Sequence, residues 1–94
     1  MANFLPFKNY IFYCLDRIIK EYHLQPPFLD AGCGRGDLSR HLYLKSWHGL
    51  AIDFSEVAIK NTRENLCLAE KIKVELRLLS EVEGKFRSVF LLEP

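Results

Sequence analysis

Residues 30–36 read DAGCGRG, which puts three glycines in five positions between an apolar run and a polar, helix-like run. Glycine gives up more conformational freedom on ordering than any other residue, so such a cluster marks backbone that must adopt positive φ or let something approach closely. Phe28 to Ala31 before it reads as a short apolar strand ending in Asp30, and residues 37–45 after it read as a helix with Leu38 and Leu42 one turn apart. The segment is therefore a strand, a tight turn and a helix. The pattern then repeats in outline. Leu50-Ala51-Ile52 forms a second short buried strand ending in Asp53, Ser55 is placed to cap a helix, and that helix runs to about Ala69 with Ile59, Thr62, Leu66 and Ala69 on one face.

Strands that alternate with helices predict a parallel sheet built from right-handed crossovers. The rest of the chain fits that plan. Residues 9–23 read as an amphipathic helix with Ile11, Leu15, Ile18 and Tyr22 at helical spacing and Cys14 and Ile19 beside them, and Pro26-Pro27 stops it. Residues 72–79 alternate apolar and charged side chains, as an edge strand with one wet face does. After a turn at Glu83-Gly84-Lys85, the run SVFLL at 88–92 lacks polar alternation and predicts a strand buried on both faces. The link between these last two strands is too short for an ordinary helix, so a loop must make that crossover. With 94 residues the chain is expected to be one α/β domain, 1–27 an N-terminal helical segment and 28–94 the core.

Composition excludes several classes. Thirteen basic residues against 12 acidic give a net charge of +1, which leaves no basic stripe for nucleic acid and no field for an anionic membrane. The three cysteines, Cys14, Cys33 and Cys67, are widely spaced and form no C-x-x-C pair, so neither a metal site nor a disulfide framework is expected. Free thiols point to a reducing cytoplasm. The N-terminal apolar stretch is broken by Lys8, Asp16, Arg17, Lys20 and Glu21, and so predicts neither a signal peptide nor a membrane span. The three histidines are expected at the surface.

Gly32, Gly34 and Gly36 lie at the carboxyl end of the first strand, where ligands sit in open α/β sheets, and the following helix is expected to aim its first amides at the turn. The spacing discriminates. A dinucleotide fingerprint needs glycine at position 37, which is Asp37, and the G-K-[ST] of a phosphate loop is absent. Asp53, a lone carboxylate at a strand end, is well placed to accept from a diol. Two plainer readings stand beside these: a glycine-rich turn that binds nothing, and Asp53 as a helix cap. Cys33 reads as a small filler with no base to activate it.

FLDAGCGRGDLSRHL and GLAIDFSEVAIKNTREN together resemble the first two motifs of the class I S-adenosylmethionine-dependent methyltransferases, at the right separation from Asp30 to Asp53. The resemblance runs from about Tyr10 to Glu93. It implies a Rossmann-like open parallel sheet with strand order 3-2-1-4, truncated, flanked by helices. It implies S-adenosylmethionine as cofactor. Gly32, Gly34 and Gly36 would form its cradle, Asp30 would accept from its amino group, Asp53 from both ribose hydroxyls, and Phe54 would lie beside the adenine. Lys8 and Tyr10 fall where related enzymes place a lid helix. The implied activity is methyl transfer to an unidentified acceptor, with a non-catalytic fragment or a protein-interaction module as the alternative.

Three departures qualify the resemblance. Ser80 and Glu81 are the nearest candidates for the acid that usually meets the adenine. Phe86-Arg87 replaces the usual opening of the fourth strand. The family's larger sheet runs on past the fourth strand, so an apolar strand at that position is expected either to pair with another chain, as a dimer or with a partner, or to have paired with a continuation of the sheet. Glu93-Pro94 resembles an acid-proline pair that orients a nucleophilic nitrogen in some methyltransferases.

Overall fold

A computed structural model describes residues 7–66 and 71–91. Helix α1 (Phe7–Tyr22) leads into strand β1 (Phe28–Ala31), helix α2 (Asp37–Tyr43), strand β2 (Gly49–Asp53), helix α3 (Glu56–Asn65), strand β3 (Ile72–Leu76), a single 3₁₀ turn (Leu79–Glu81) and strand β4 (Ser88–Leu91). All four strands are parallel, in the order β3-β2-β1-β4. The connection from β3 to β4 is the 3₁₀ turn and a loop, as its length requires.

The register explains which side chains are buried. Phe28, Ala51, Ile72 and Phe90 point to one face, where Leu38 and Leu42 of α2, Ile59 of α3 and Leu15 of α1 cover them. Leu29, Ala31 and Ile52 point to the other, where Val82 and Phe86 of the β3–β4 loop are the main cover. Leu29 stands opposite Val89, and Ala31 opposite Leu91. That loop reaches β1 and β2 but leaves β4 bare.

This corrects the expectation of a fourth strand buried on both faces. Ser88 and Phe90 are buried, but Val89 is 54% and Leu91 63% exposed. An unbroken apolar run cannot distinguish a strand with cover on both faces from one that waits at a sheet edge; only the layer above it can.

The packing face of α1 is also corrected. Leu15 is buried and Phe12 and Ile19 pack on the core, whereas Ile18 and Tyr22 are exposed. The seam is rotated by part of a turn because Asp16 and Phe12 must meet α2. His41 Nε2 lies 2.7 Å from Asp16 Oδ1, Lys45 Nζ lies 3.1 Å from it, and the His41 ring stacks on Phe12 at 4.5 Å. His41 is thus a half-buried link between two helices and not a surface residue. Helices α2 and α3 and strand β3 end earlier than their apolar patterns imply. The end of the α3 prediction (residues 67–69), Leu92 and Glu93-Pro94 lie outside the described residues. Among the described residues no helix is long and apolar enough to cross a membrane.

Candidate cofactor-binding site

β1 and β2 are neighbours in the sheet, and their carboxyl ends carry Asp30 and Asp53. The glycine turn leaves β1 and folds back over β2, where the N–H groups of Gly32 and Cys33 both donate to the Ile52 carbonyl, each at 2.9 Å. The Gly34 N–H donates to Asp53 Oδ2 at 3.1 Å, and the Gly36 N–H to the Cys33 carbonyl at 2.8 Å. The amides of Gly32, Cys33, Gly34 and Gly36 are therefore spent inside the turn. What Gly32 and Gly34 offer is access. Their φ angles are +79° and +57°, and a Cβ built on either meets nothing within 4 Å. A ligand can lie directly on that backbone.

Gly36 has a different task. It sits at the N-terminus of α2 with φ +85°, and a Cβ there would come within 2.9 Å of Thr62 Cγ2 and 3.1 Å of Thr62 Cα. Its missing side chain lets α2 pack on α3, so it shapes the site from behind the turn.

Asp53 accepts from two backbone amides, Gly34 at 3.1 Å and Ser55 at 3.0 Å. Each oxygen keeps a lone pair, and the carboxylate is only part-buried, so it can still receive hydroxyls. The cap of α3 is Ser55, whose Oγ accepts from the Ala58 N–H at 3.3 Å. Asp53 is thus not the helix cap but a brace between β2 and the glycine turn. Phe54 follows it with 78% of its surface exposed, an unusual position for an aromatic side chain.

Asp30 is 1% exposed and accepts from Ser39 Oγ at 2.7 Å. Burial pushes its carboxyl up to about 6 from an ordinary 3.8, against the Ser39 hydrogen bonds that favour the charge, and the nearby Asp53 carboxylate adds to the rise. A carboxyl raised by folding favours the folded state while it is protonated. Its contribution is complete below pH 4 and is lost as pH climbs through about 6. Asp30→Asn, which keeps the acceptor for Ser39, should therefore be more stable than the parent at pH 8 by roughly 2–3 kcal/mol, with the difference vanishing near pH 4. Urea unfolding across that range measures it, and a pH-independent difference would show that Asp30 is ionised at no cost.

Cys33 is buried, and desolvation drives its thiol up to about 11, so it is inert as a nucleophile. Arg35 is exposed, and Asn65 Nδ2 donates to its carbonyl at 3.1 Å and to Asp37 Oδ1 at 3.4 Å. Tyr10 is 56% exposed on the outer side of α1, and the side chain of Lys8 lies outside the described residues. Ser80 is exposed in the 3₁₀ turn, while Glu81 Oε1 accepts from the Leu78 N–H at 2.7 Å and so caps its own turn. Reading the sequence placed Thr62 on the packing face of α3 and gave Ser39 and Asn65 no role. Their signal is polarity on otherwise apolar helix faces.

The chain has the fold of the class I S-adenosylmethionine-dependent methyltransferases, with the sheet order that fold shows from its third strand to its fourth. No family model and no curated protein matches the sequence. Solved structures do. A protein of Pyrococcus horikoshii superposes with a TM-score of 0.72 at 21% identity over 93% of this chain and 43% of its own. The magnesium protoporphyrin IX methyltransferase of Synechocystis, crystallised with bound S-adenosylmethionine, superposes at 0.70 with 19% identity, over 95% of this chain and 50% of its own. A protein of Thermoplasma acidophilum gives 0.67 at 26% identity, over 79% and 40%. This chain therefore spans half or less of the length of these structures.

Proposed function

We propose that this chain is the cofactor-binding half of an S-adenosylmethionine-dependent methyltransferase. The observation that carries the reading is the pairing of two carboxylates, Asp30 and Asp53, at the ends of adjacent parallel strands with an open glycine turn between them. The likeness to a methyltransferase crystallised with S-adenosylmethionine supports it.

The residues fit that cofactor. Gly32 and Gly34 present bare backbone that a Cβ would cover. Asp53, held by the Gly34 and Ser55 amides, offers one lone pair from each oxygen to a vicinal diol. Phe54 supplies an exposed ring on which a flat heterocycle can stack. Asp30, ionised but buried and held by Ser39, acts on an ammonium group as a fixed negative charge beneath the turn and not by direct contact. The cofactor itself supplies the chemistry, an electrophilic methyl group on a sulfonium, which is why the chain needs neither an activated nucleophile nor a metal for the transfer. The protein's part is position and electrostatics.

Calorimetric titration with S-adenosylmethionine and with S-adenosylhomocysteine, at pH 8 where Asp30 is ionised, tests the proposal. Micromolar affinity for both is the expected result. A folded protein that takes up neither ligand has lost the site, and the chain is then a methyltransferase-like module that does not use the cofactor.

A further inference from the structure

Gly34 is gripped from both sides. Its N–H donates to Asp53, and its carbonyl accepts from the Thr62 hydroxyl of α3 at 2.8 Å. Thr62 is fully buried, with 0% of its surface exposed, so it cannot touch a ligand. It has one proton to donate, and that proton is committed to Gly34. The Cys33 thiol, 3.3 Å from Thr62 Oγ1, must therefore be the donor in that contact. A short chain of bonds results: Cys33 S–H to Thr62, Thr62 O–H to the Gly34 carbonyl. One helical turn further on, Asn65 donates to the Arg35 carbonyl at 3.1 Å. Two polar side chains at i and i+3 on α3 thus hold successive carbonyls of the turn. Gly34 adopts φ +57°, a backbone conformation that leaves it free to move unless its peptides are held.

We propose that Thr62 is a positioning residue for the cofactor site: its hydroxyl locks the Gly34–Arg35 peptide and so, across the Gly34 Cα, steadies the adjoining peptide whose N–H holds Asp53, before ligand arrives. The inference rests on the proposed cofactor reading and adds to it a specific device. Loop ordering that is already complete in the free protein need not be supplied by binding energy. The polar residue at position 62 of an otherwise apolar face is explained by this task, because a valine of the same shape would fill the same space and leave the Gly34 carbonyl without a donor.

Thr62→Val and Thr62→Ser test it, each measured for S-adenosylhomocysteine affinity by calorimetry and for amide exchange in the ligand-free protein. Thr62→Val should weaken binding about tenfold and speed exchange at Gly34, Arg35 and Gly36 by a similar factor, while amides of β1 and β2 keep their protection. Thr62→Ser, which keeps the hydroxyl, should restore both. Should Thr62→Val fail to fold, Asn65→Ala removes the neighbouring grip from a half-buried position and should loosen the same turn and weaken binding severalfold. Thr62→Val that binds as the parent does, or Asn65→Ala that leaves both readouts unchanged, overturns the inference alone. A parent protein that binds no ligand overturns the cofactor reading and the role of Thr62 with it.

Discussion

Asp53→Ala should reduce S-adenosylmethionine affinity by at least about a hundredfold. One carboxylate there is proposed to receive two hydroxyls, and charge-assisted hydrogen bonds are worth roughly 1.5–3 kcal/mol each, while every 1.4 kcal/mol is a factor of ten. Read as a ligand contact alone, Asp53 could be lost with the fold largely intact. The structure changes that expectation. Asp53 also holds the Gly34 and Ser55 amides, so its loss should lower stability by about 1–2 kcal/mol and loosen the turn. Asp53→Asn separates the two effects. Its single remaining acceptor can hold one amide but presents an N–H to the other partner, so binding should fall further than stability. Calorimetric titration read beside urea unfolding checks both numbers. Affinity within threefold of the parent in Asp53→Ala would remove Asp53 from the site.

Gly49→Ala should be the most damaging glycine-to-alanine change among the described residues, costing roughly 3 kcal/mol or more. No unusual backbone angle is involved. A Cβ at Gly49 would drive into the Phe28 carbonyl oxygen and stand 2.5 Å from Phe28 Cδ1 and 2.7 Å from Cγ. Phe28 is opposite Gly49 in the β1–β2 ladder and is fully buried under the helices, so its ring has nowhere to go. Gly32→Ala is the control. It forces a positive φ on alanine but meets no atom within 4 Å, so its cost should be the backbone term alone, about 1–2 kcal/mol. Urea midpoints rank the two, and a Gly49→Ala protein as stable as Gly32→Ala would mean that β1 and β2 do not approach as closely as the ladder shows.

Gly49 shows where reading a sequence stops. Within Trp47-His48-Gly49 it reads as part of a break between helix and strand, yet it is the first residue of β2. What requires glycine there is a ring from a strand 21 positions earlier, and no local pattern carries that. Asp30 and Asp53 were legible because each closes a short apolar run, and the chain needs no partner to place a residue at a strand end. Thr62 was legible only as one more position on the α3 face, since its purpose depends on a turn that precedes it by a whole strand.

Residue patterns alone carried the alternation of strands and helices, the parallel sheet, the Ser55 cap and the glycine turn, while the strand order came from the family resemblance. What the patterns carried follows from residue period, from backbone freedom and from the handedness of crossovers, which act over short stretches. The tertiary structure alone decided which side of α1 meets the core, that Val89 and Leu91 stay exposed, that the glycine amides are spent within their own turn, and that Gly36 serves packing. Those outcomes depend on which atoms arrive from elsewhere in the chain. Burial and hydrogen bonding are settled by the partner present, and a residue's own chemistry states only what partner it could accept.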